Sequence, residues 1–296
     1  MKFFFLFLSA GILIAACASK PGKEKPSFVS LGQVDQRLVE ASGLAGSIAN
    51  PGMYWVINDS GHPPETFLID EHAQTKLVCT LFNGRNRDWE DISVGPGPDT
   101  TKKYVYVADI GDNWANHEFN YVYRFEEPLL GGEKEIVIHN FERLVLKMPD
   151  GPRDAETILI DPQTNDLYLI SKREDSVGLY VMHLAGAKDT TTVAKVAILP
   201  FTRIVAGSIS ADGSEILLKD YEIIYYWKRT PGENLVDVLK RPPQHLPYDR
   251  ESQGEAIAWS RQVPGEFVTL SEGFLGASAD LRKYKVPRDT VTAQKR

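Results

Sequence analysis

The amino-acid sequence predicts an all-β chain, a β-propeller of five four-stranded blades. Three observations point there. Short aromatic and β-branched runs bounded by turn residues recur along it, among them "MYWVIND", "KYVYVADI", "DLYLISK", "EIIYYWK" and "EFVTLSE", and this is how strands read. No stretch offers a long amphipathic helix with caps. A motif is duplicated: residues 87–92 read "RDWEDI" and residues 153–158 read "RDAETI", which signals a repeat.

Aligned on that motif, the first unit opens at "ASGLAGS", with Ser42 in the Glu position. The next two open at "WEDISVG" with Glu90 and "AETILID" with Glu156. "AGSISAD" follows with Gly207 there and Ser208 beside it, then "GEAIAWS" with Glu255. The spacings are 48, 66, 51 and 48 residues. After each start comes a turn with Asn, Pro, Gly or Asp, an apolar second strand, a third, and a fourth such as "KLVCTLF", "RLVLKM", "VAKVAIL" and "LVDVLK". Extra loop residues around "WANHEFN" and "LLGGEKE" account for the long interval; a degenerate sixth blade hidden there is the alternative. After Glu255 only "EAIAWS", "EFVTLSE" and "DLRKYKV" remain as strands, while "SFVSLGQV" precedes the first unit and belongs to none. The N-terminal strand is therefore expected to complete the last blade and latch the ring.

The N-terminus stands outside this pattern. Residues 1–16 read as a signal peptide, with one Lys, an apolar run too short to span a bilayer comfortably, and small residues. The ending Ile14-Ala15-Ala16-Cys17 matches the bacterial lipobox, and the match implies that Cys17 is lipidated and becomes the first mature residue. Residues 17–26 are polar and rich in Pro, Gly and Lys, which suits a tether. The propeller is assigned to residues 27–288 and a tail to 289–296. Ala18 and Ser19 follow Cys17 where an Asp would favour inner-membrane retention. The expected place is the cell envelope, as an outer-membrane lipoprotein facing the periplasm or the cell surface.

The net charge of −7 argues against nucleic acid as a partner. A lipid anchor, a small anionic ligand or an envelope protein are the expected partners, and the expected state is a monomer. Once Cys17 carries lipid, Cys79 alone remains, so no intrachain disulfide is possible. Cys79 lies in the apolar alternation "KLVCTLF" and reads as a buried small hydrophobe.

In a propeller the first strand of each blade lines the central channel. Ser42, Glu90, Glu156 and Glu255 should then converge near one mouth of the axis. Carboxylates gathered in a narrow tunnel repel one another and rise in pKa unless a cation compensates them. Oxygen donors without His or Cys suit a hard cation, Ca²⁺ before Mg²⁺. The plainer alternative is that each Glu bonds channel amides or pairs with an Arg. Gly207 interrupts the ring, and Ser208 is the candidate to fill that sector.

This arrangement resembles the calcium-activated nucleotidases, the soluble apyrases, in which Ser and Glu side chains from successive blades surround an axial calcium. Only Ser42, Glu90, Glu156, Glu255 and Ser208 carry the likeness. The combination "NDSG", "DWEDI", "DIGDN" and "QGEAIAW" is similar, over nearly the whole mature chain, to a family of bacterial propeller lipoproteins with no activity attached.

The same face gathers other polar residues. Each loop leading into a first strand carries an Arg: Arg37, Arg87, Arg153, Arg203 and Arg250. The loops after the second strands bring Asn58, Asp59, Asp109, Asp112, Asn113, Lys172, Arg173, Lys219, Asp220 and Glu272. Such a mouth could hold a phosphate or a carboxylate, or each Arg could simply pair with a neighbouring acid. No Gly-x-Ser-x-Gly elbow, phosphate loop or His metal spacing is present. Two function classes follow: a non-catalytic envelope propeller binding a ligand or partner, with the metal as a staple, and a metal-dependent hydrolase of a phosphate or carboxylic ester.

Overall fold

The computed structural model describes residues 28–185, 190–273 and 278–287. Cys17, the tether and the C-terminal tail lie outside the described residues.

The strands form five sheets in a ring. Strand β1 (Val29–Gln33) precedes the first blade, which is β2 (Ala41–Gly46), β3 (Tyr54–Asn58), β4 (Glu65–Ile69) and β5 (Thr75–Leu81). The second blade is β6 (Trp89–Gly95), β7 (Tyr104–Asp109) and β8 (Asn120–Glu126); the chain then makes β9 (Glu135–Ile138) and returns as β10 (Glu142–Lys147). The third is β11 (Ala155–Asp161), β12 (Asp166–Ser171) and β13 (Val177–His183), followed by β14 (Thr190–Thr192) and β15 (Ala194–Leu199). The fourth holds β16 (Ala206–Ile209), β17 (Glu215–Lys219), β18 (Ile224–Lys228), helix α1 (Leu235–Lys240) and β19 (Gln244–Leu246). The last is β20 (Ala256–Trp259), β21 (Glu266–Leu270) and β22 (Asp280–Lys285).

Five blades close the ring, not six. The N-terminal strand β1 pairs antiparallel with β22 and supplies the fourth strand of the last blade, as expected. The residues that lengthen the second unit include β9, which leaves its own blade and adds in parallel to β5 of the first. Strand β14 does the same one blade further on, adding in parallel to β10. Each of these additions covers an outer edge that would otherwise expose unpaired amides and carbonyls.

One expectation is corrected. "LVDVLK" is helix α1 and not the fourth strand of its blade; β19 takes that place. Asn234 accepts from Val236 N as the N-cap, Asp237 lies in the first turn and Lys240 in the last, and both charges suit the helix dipole. Leu235, Val238 and Leu239 are its buried residues, a helical spacing that also passes for an apolar strand in so short a segment.

The core is divided into five clusters, one between each pair of neighbouring blades. Alternation along a strand sends its side chains to opposite neighbours: in β3, Tyr54 and Val56 pack toward the last blade, whereas Trp55 and Ile57 pack toward the second. Both faces are buried, which explains why second strands read as continuous apolar runs. Cys79 is free and buried in this packing, and burial pushes its thiol up to about 12. Polar links cross the junctions. Ser42 Oγ donates to Trp89 O at 2.8 Å, and Arg229 Nη1 pairs with Asp161 Oδ1 at 2.8 Å with both side chains buried.

Candidate functional site

In three blades the inner strand is bulged at the same place. Ala41 pairs with Asn58 and Gly43 with Ile57; Trp89 pairs with Asp109 and Asp91 with Ala108; Ala155 pairs with Ser171 and Thr157 with Ile170. The residues skipped are Ser42, Glu90 and Glu156. A bulge frees one residue from the ladder and re-aims its side chain, so the local backbone itself presents these groups. Glu255 stands just before β20 and is likewise outside the ladder. The fourth blade is different. Ala206 pairs with Lys219 and Gly207 with Leu218 without a bulge. Gly207 is a packing position: a Cβ there would come within 2.9 Å of Thr157 Cγ2. Its alignment with the carboxylates is therefore corrected, and strand β16 brings no acid to this level.

Two sets of acids meet at this mouth. Asp59, Asp88 and Glu90 have one carboxylate oxygen each within 4.8 Å of one another, and so do Glu90, Asp154 and Glu156. Glu90 joins the two sets. The cluster lies toward the first three blades rather than evenly around the axis, because its members come from the ends of β3, β6 and β11. Gly111 lets the backbone run close beside it: a Cβ there would fall 2.1 Å from Glu90 Oε1 and 2.4 Å from Asp88 Oδ2.

The electrostatics are those of crowded, poorly hydrated acids. Burial, then Glu156, Asp59 and Asp88, hold the Glu90 carboxyl well above its ordinary range. Burial and then Asp59 raise Asp88. Glu156 is also raised, by burial first, although Lys172 opposes the shift through direct contact with its Oε1. Arg173 Nε approaches Asp154 Oδ2 at 2.5 Å. Five carboxylates thus face two cationic side chains, Lys172 and Arg173. All donors are oxygens, and such a set fits a hard divalent cation. A divalent cation bound there would be held by Glu90 together with Asp59 and Asp88 on one side or Asp154 and Glu156 on the other, and it would supply positive charge in place of protons.

The remaining sequence candidates take definite places. Ser208 Oγ accepts from Trp259 N at 3.1 Å, and Glu255 Oε1 accepts from the Tyr221 hydroxyl at 2.5 Å. Lys172 Nζ lies 5.5 Å from the centre of the Tyr221 ring, so Glu156, Lys172, Tyr221 and Glu255 are linked across the channel. Lys219 is fully buried; its Nζ bonds to Gly254 O and, at 3.1 Å, to Asp220 O. Burial lowers its pKa to about 8. Glu272, beside Gln253, is pushed up to about 7 by burial and then by Glu255. Asn58 fixes the local backbone through Arg37 O and Glu40 N. Asp112 accepts from Asn116 N and His117 N at 2.8 Å, which shapes its own loop, and Asn113 Oδ1 accepts from Arg173.

The Arg residues of the lead-in loops are mostly paired. Arg37 meets Asp35 and Glu135, Arg87 meets Asp109 at 3.6 Å, Arg153 meets Asp150 and Glu174, and Arg250 meets Glu222. Arg203 has no carboxylate partner among the described residues, and it adopts a positive φ of 54°. It lines an open polar hollow of about 650 Å³ with Tyr221, Arg250, Glu251, Ser252 and Gln253. Asp88 and Asp154 are not among the candidates that the sequence singles out. The signal was nevertheless there: both copies of the duplicated motif place an Asp two residues before the Glu. Tyr221 carried no signal.

No protein-family model matches the chain, and no curated protein matches it in sequence. Among solved structures, one similar in fold is the hydrazine synthase of Kuenenia stuttgartiensis, at a TM-score of 0.42 and 12% identity over 78% of this chain. The chain spans 64% of that protein's length, less than two thirds. Another is a chain of a nidogen/laminin complex, at a TM-score of 0.46 and 13% identity, covering 78% of this chain and 72% of that one. At this distance neither carries an activity, a substrate or a partner over to this protein.

Proposed function

We propose that the protein is an envelope-anchored propeller in which Ca²⁺ staples the first three blades, and that its loop face binds a small anionic ligand. The observation that supports it most is the shared carboxylate cluster: among the described residues, Asp59, Asp88, Glu90, Asp154 and Glu156 meet two cationic side chains, Lys172 and Arg173. Ionised together they would repel strongly in a low-dielectric channel, and a divalent cation relieves that repulsion without protonating them. For the ligand, the support is Arg203, which has no carboxylate partner among the described residues and lines the hollow together with Tyr221 and Arg250. The anchor rests on the Cys17 lipobox; Cys17→Ser should abolish incorporation of labelled fatty acid and release the protein from membranes.

Hydrolysis of a phosphate or carboxylic ester is the second reading. Glu272, at about 7, has a pKa suited to a general base and stands at the same mouth. Calorimetric titration of the metal-free protein with Ca²⁺, followed by phosphate and nucleotides on the loaded protein, tests both readings. Calcium binding that Glu90→Gln removes supports the staple, and absence of binding rejects it. Turnover in a phosphatase and esterase panel would move the protein to the second reading.

A further inference from the structure

The channel has a second mouth, at the other ends of the inner strands. Glu90 heads β6 whereas Val94 lies near its end, on the order of 15 Å away along the strand. Turns from all five blades surround a cavity of about 370 Å³ there, with Ile48, Val94, Pro96, Ile160, Pro162 and Ala211 among its walls. That volume suits a small molecule, and so does a mostly apolar wall with few polar groups.

The chief polar group is Arg261. Its side chain leaves the last blade and crosses toward the first two: Nε donates to Gly46 O at 3.4 Å and Nη2 to Val94 O at 3.2 Å. Both bonds are long for N–H to carbonyl, and Nη1 has no acceptor in the protein among the described residues. The backbone makes way for it, since a Cβ on Gly46 would come within 2.8 Å of Arg261 Cγ. No carboxylate pairs with Arg261 among the described residues. The charge acting on it is that of Glu127. Glu127 already accepts from the Ser47 hydroxyl at 2.5 Å, Ala49 N at 2.9 Å and Trp55 Nε1 at 2.9 Å. Lys103 also lines the cavity and has no ion pair among the described residues. Two cations therefore face this space against one acid whose oxygens are occupied.

We propose that Arg261 and Lys103 make this cavity a binding site for a small organic carboxylate with an apolar body. A guanidinium with free N–H groups matches a carboxylate in two-point contact, and it does so most strongly where water is excluded. The Ile, Val and Pro walls would take the apolar body. They disfavour inorganic phosphate, whose hydration they cannot replace. This site is independent of the carboxylate cluster at the opposite mouth.

Calorimetric titration of the full chain with phenylpropionate, phenylpropanamide and inorganic phosphate tests the assignment. Phenylpropionate should bind, with the amide about tenfold weaker or worse, since one charge-assisted contact is lost. Phosphate should bind no more tightly than the amide. Arg261→Gln should weaken phenylpropionate about tenfold or more, and Lys103→Ala about threefold. Ala211→Trp, on an exposed turn, should block the cavity with Arg261 intact, so the test survives if Arg261→Gln does not fold. Glu90→Gln should leave phenylpropionate binding unchanged, which separates this site from the cation cluster. The proposal is overturned if phenylpropionate fails to bind at millimolar concentration, if the amide or phosphate binds equally well, or if Ala211→Trp leaves binding intact.

Discussion

Asp91 Oδ2 accepts a hydrogen bond from Ile158 N at 2.9 Å, which ties the inner strand of the second blade to that of the third. Its other oxygen accepts from Ile92 N at 2.8 Å. The carboxylate is buried, and burial holds its pKa well above the ordinary range. One side chain thus satisfies two amides in a channel wall where water is scarce.

Asp91→Asn should therefore destabilise the ring. The amide offers one acceptor oxygen, and its NH₂ would face the other backbone N–H. Leaving one buried donor unmatched costs about 1–3 kcal/mol, and Asp91→Ala should cost more. Denaturant midpoints of wild type and the two variants check the order.

The shared position of Glu90 between the two sets of acids makes a non-additive prediction. Calcium should raise the melting temperature of the wild type by an amount growing with the logarithm of its concentration. Glu90→Gln should lose most of that response, since both sets contain it. Glu156→Gln should lose less, and the double variant little more than Glu90→Gln alone. A wild type whose melting ignores calcium would exclude the cation site.

The raised carboxyls fix the sign of the pH dependence. Glu272 moves from an ordinary 4.5 to about 7 on folding, and Glu90 and Glu156 move in the same direction. The folded metal-free protein then holds more protons than the unfolded chain, so its stability falls as pH rises above the ordinary carboxyl range. For Glu272 the loss runs from about 4.5 to about 7 and then stops; below 4.5 its effect is absent. Saturating calcium should remove the part of the slope that Glu90 and Glu156 contribute, because the cation holds those carboxylates ionised, and leave the part due to Glu272. Melting series against pH, with calcium and with chelator, measure both slopes.

Strand β1 should behave as a latch. Deleting residues 29–33 removes a strand that pairs with β22 and exposes the edge of the last blade. At about 1 kcal/mol for each of roughly four ladder bonds, the loss is about 4 kcal/mol, or on the order of 10 °C in melting temperature. An unchanged melting temperature would show that the ring closes without it.

Much of this was legible in the chain itself. The duplicated Arg-Asp-x-Glu motif, the spacing of its relatives and the orphan strand before Ser42 determined the inner strands and the closure and narrowed the ring to five or six blades. Each of these is written in local pattern, because every blade must bury both faces and turn at the same points. The convergence of Glu90 with Glu156 follows from the same register. What tertiary structure alone decided are the partnerships between blades. It placed Asp59 and Asp154 beside Glu90, left Arg203 without a carboxylate among the described residues while its four counterparts found acids, and made "LVDVLK" a helix. It also sent Arg261 across the far mouth. These pairings join residues tens of positions apart, on loops whose course depends on the neighbouring blade. No periodicity in the sequence records which side chain such a loop will meet.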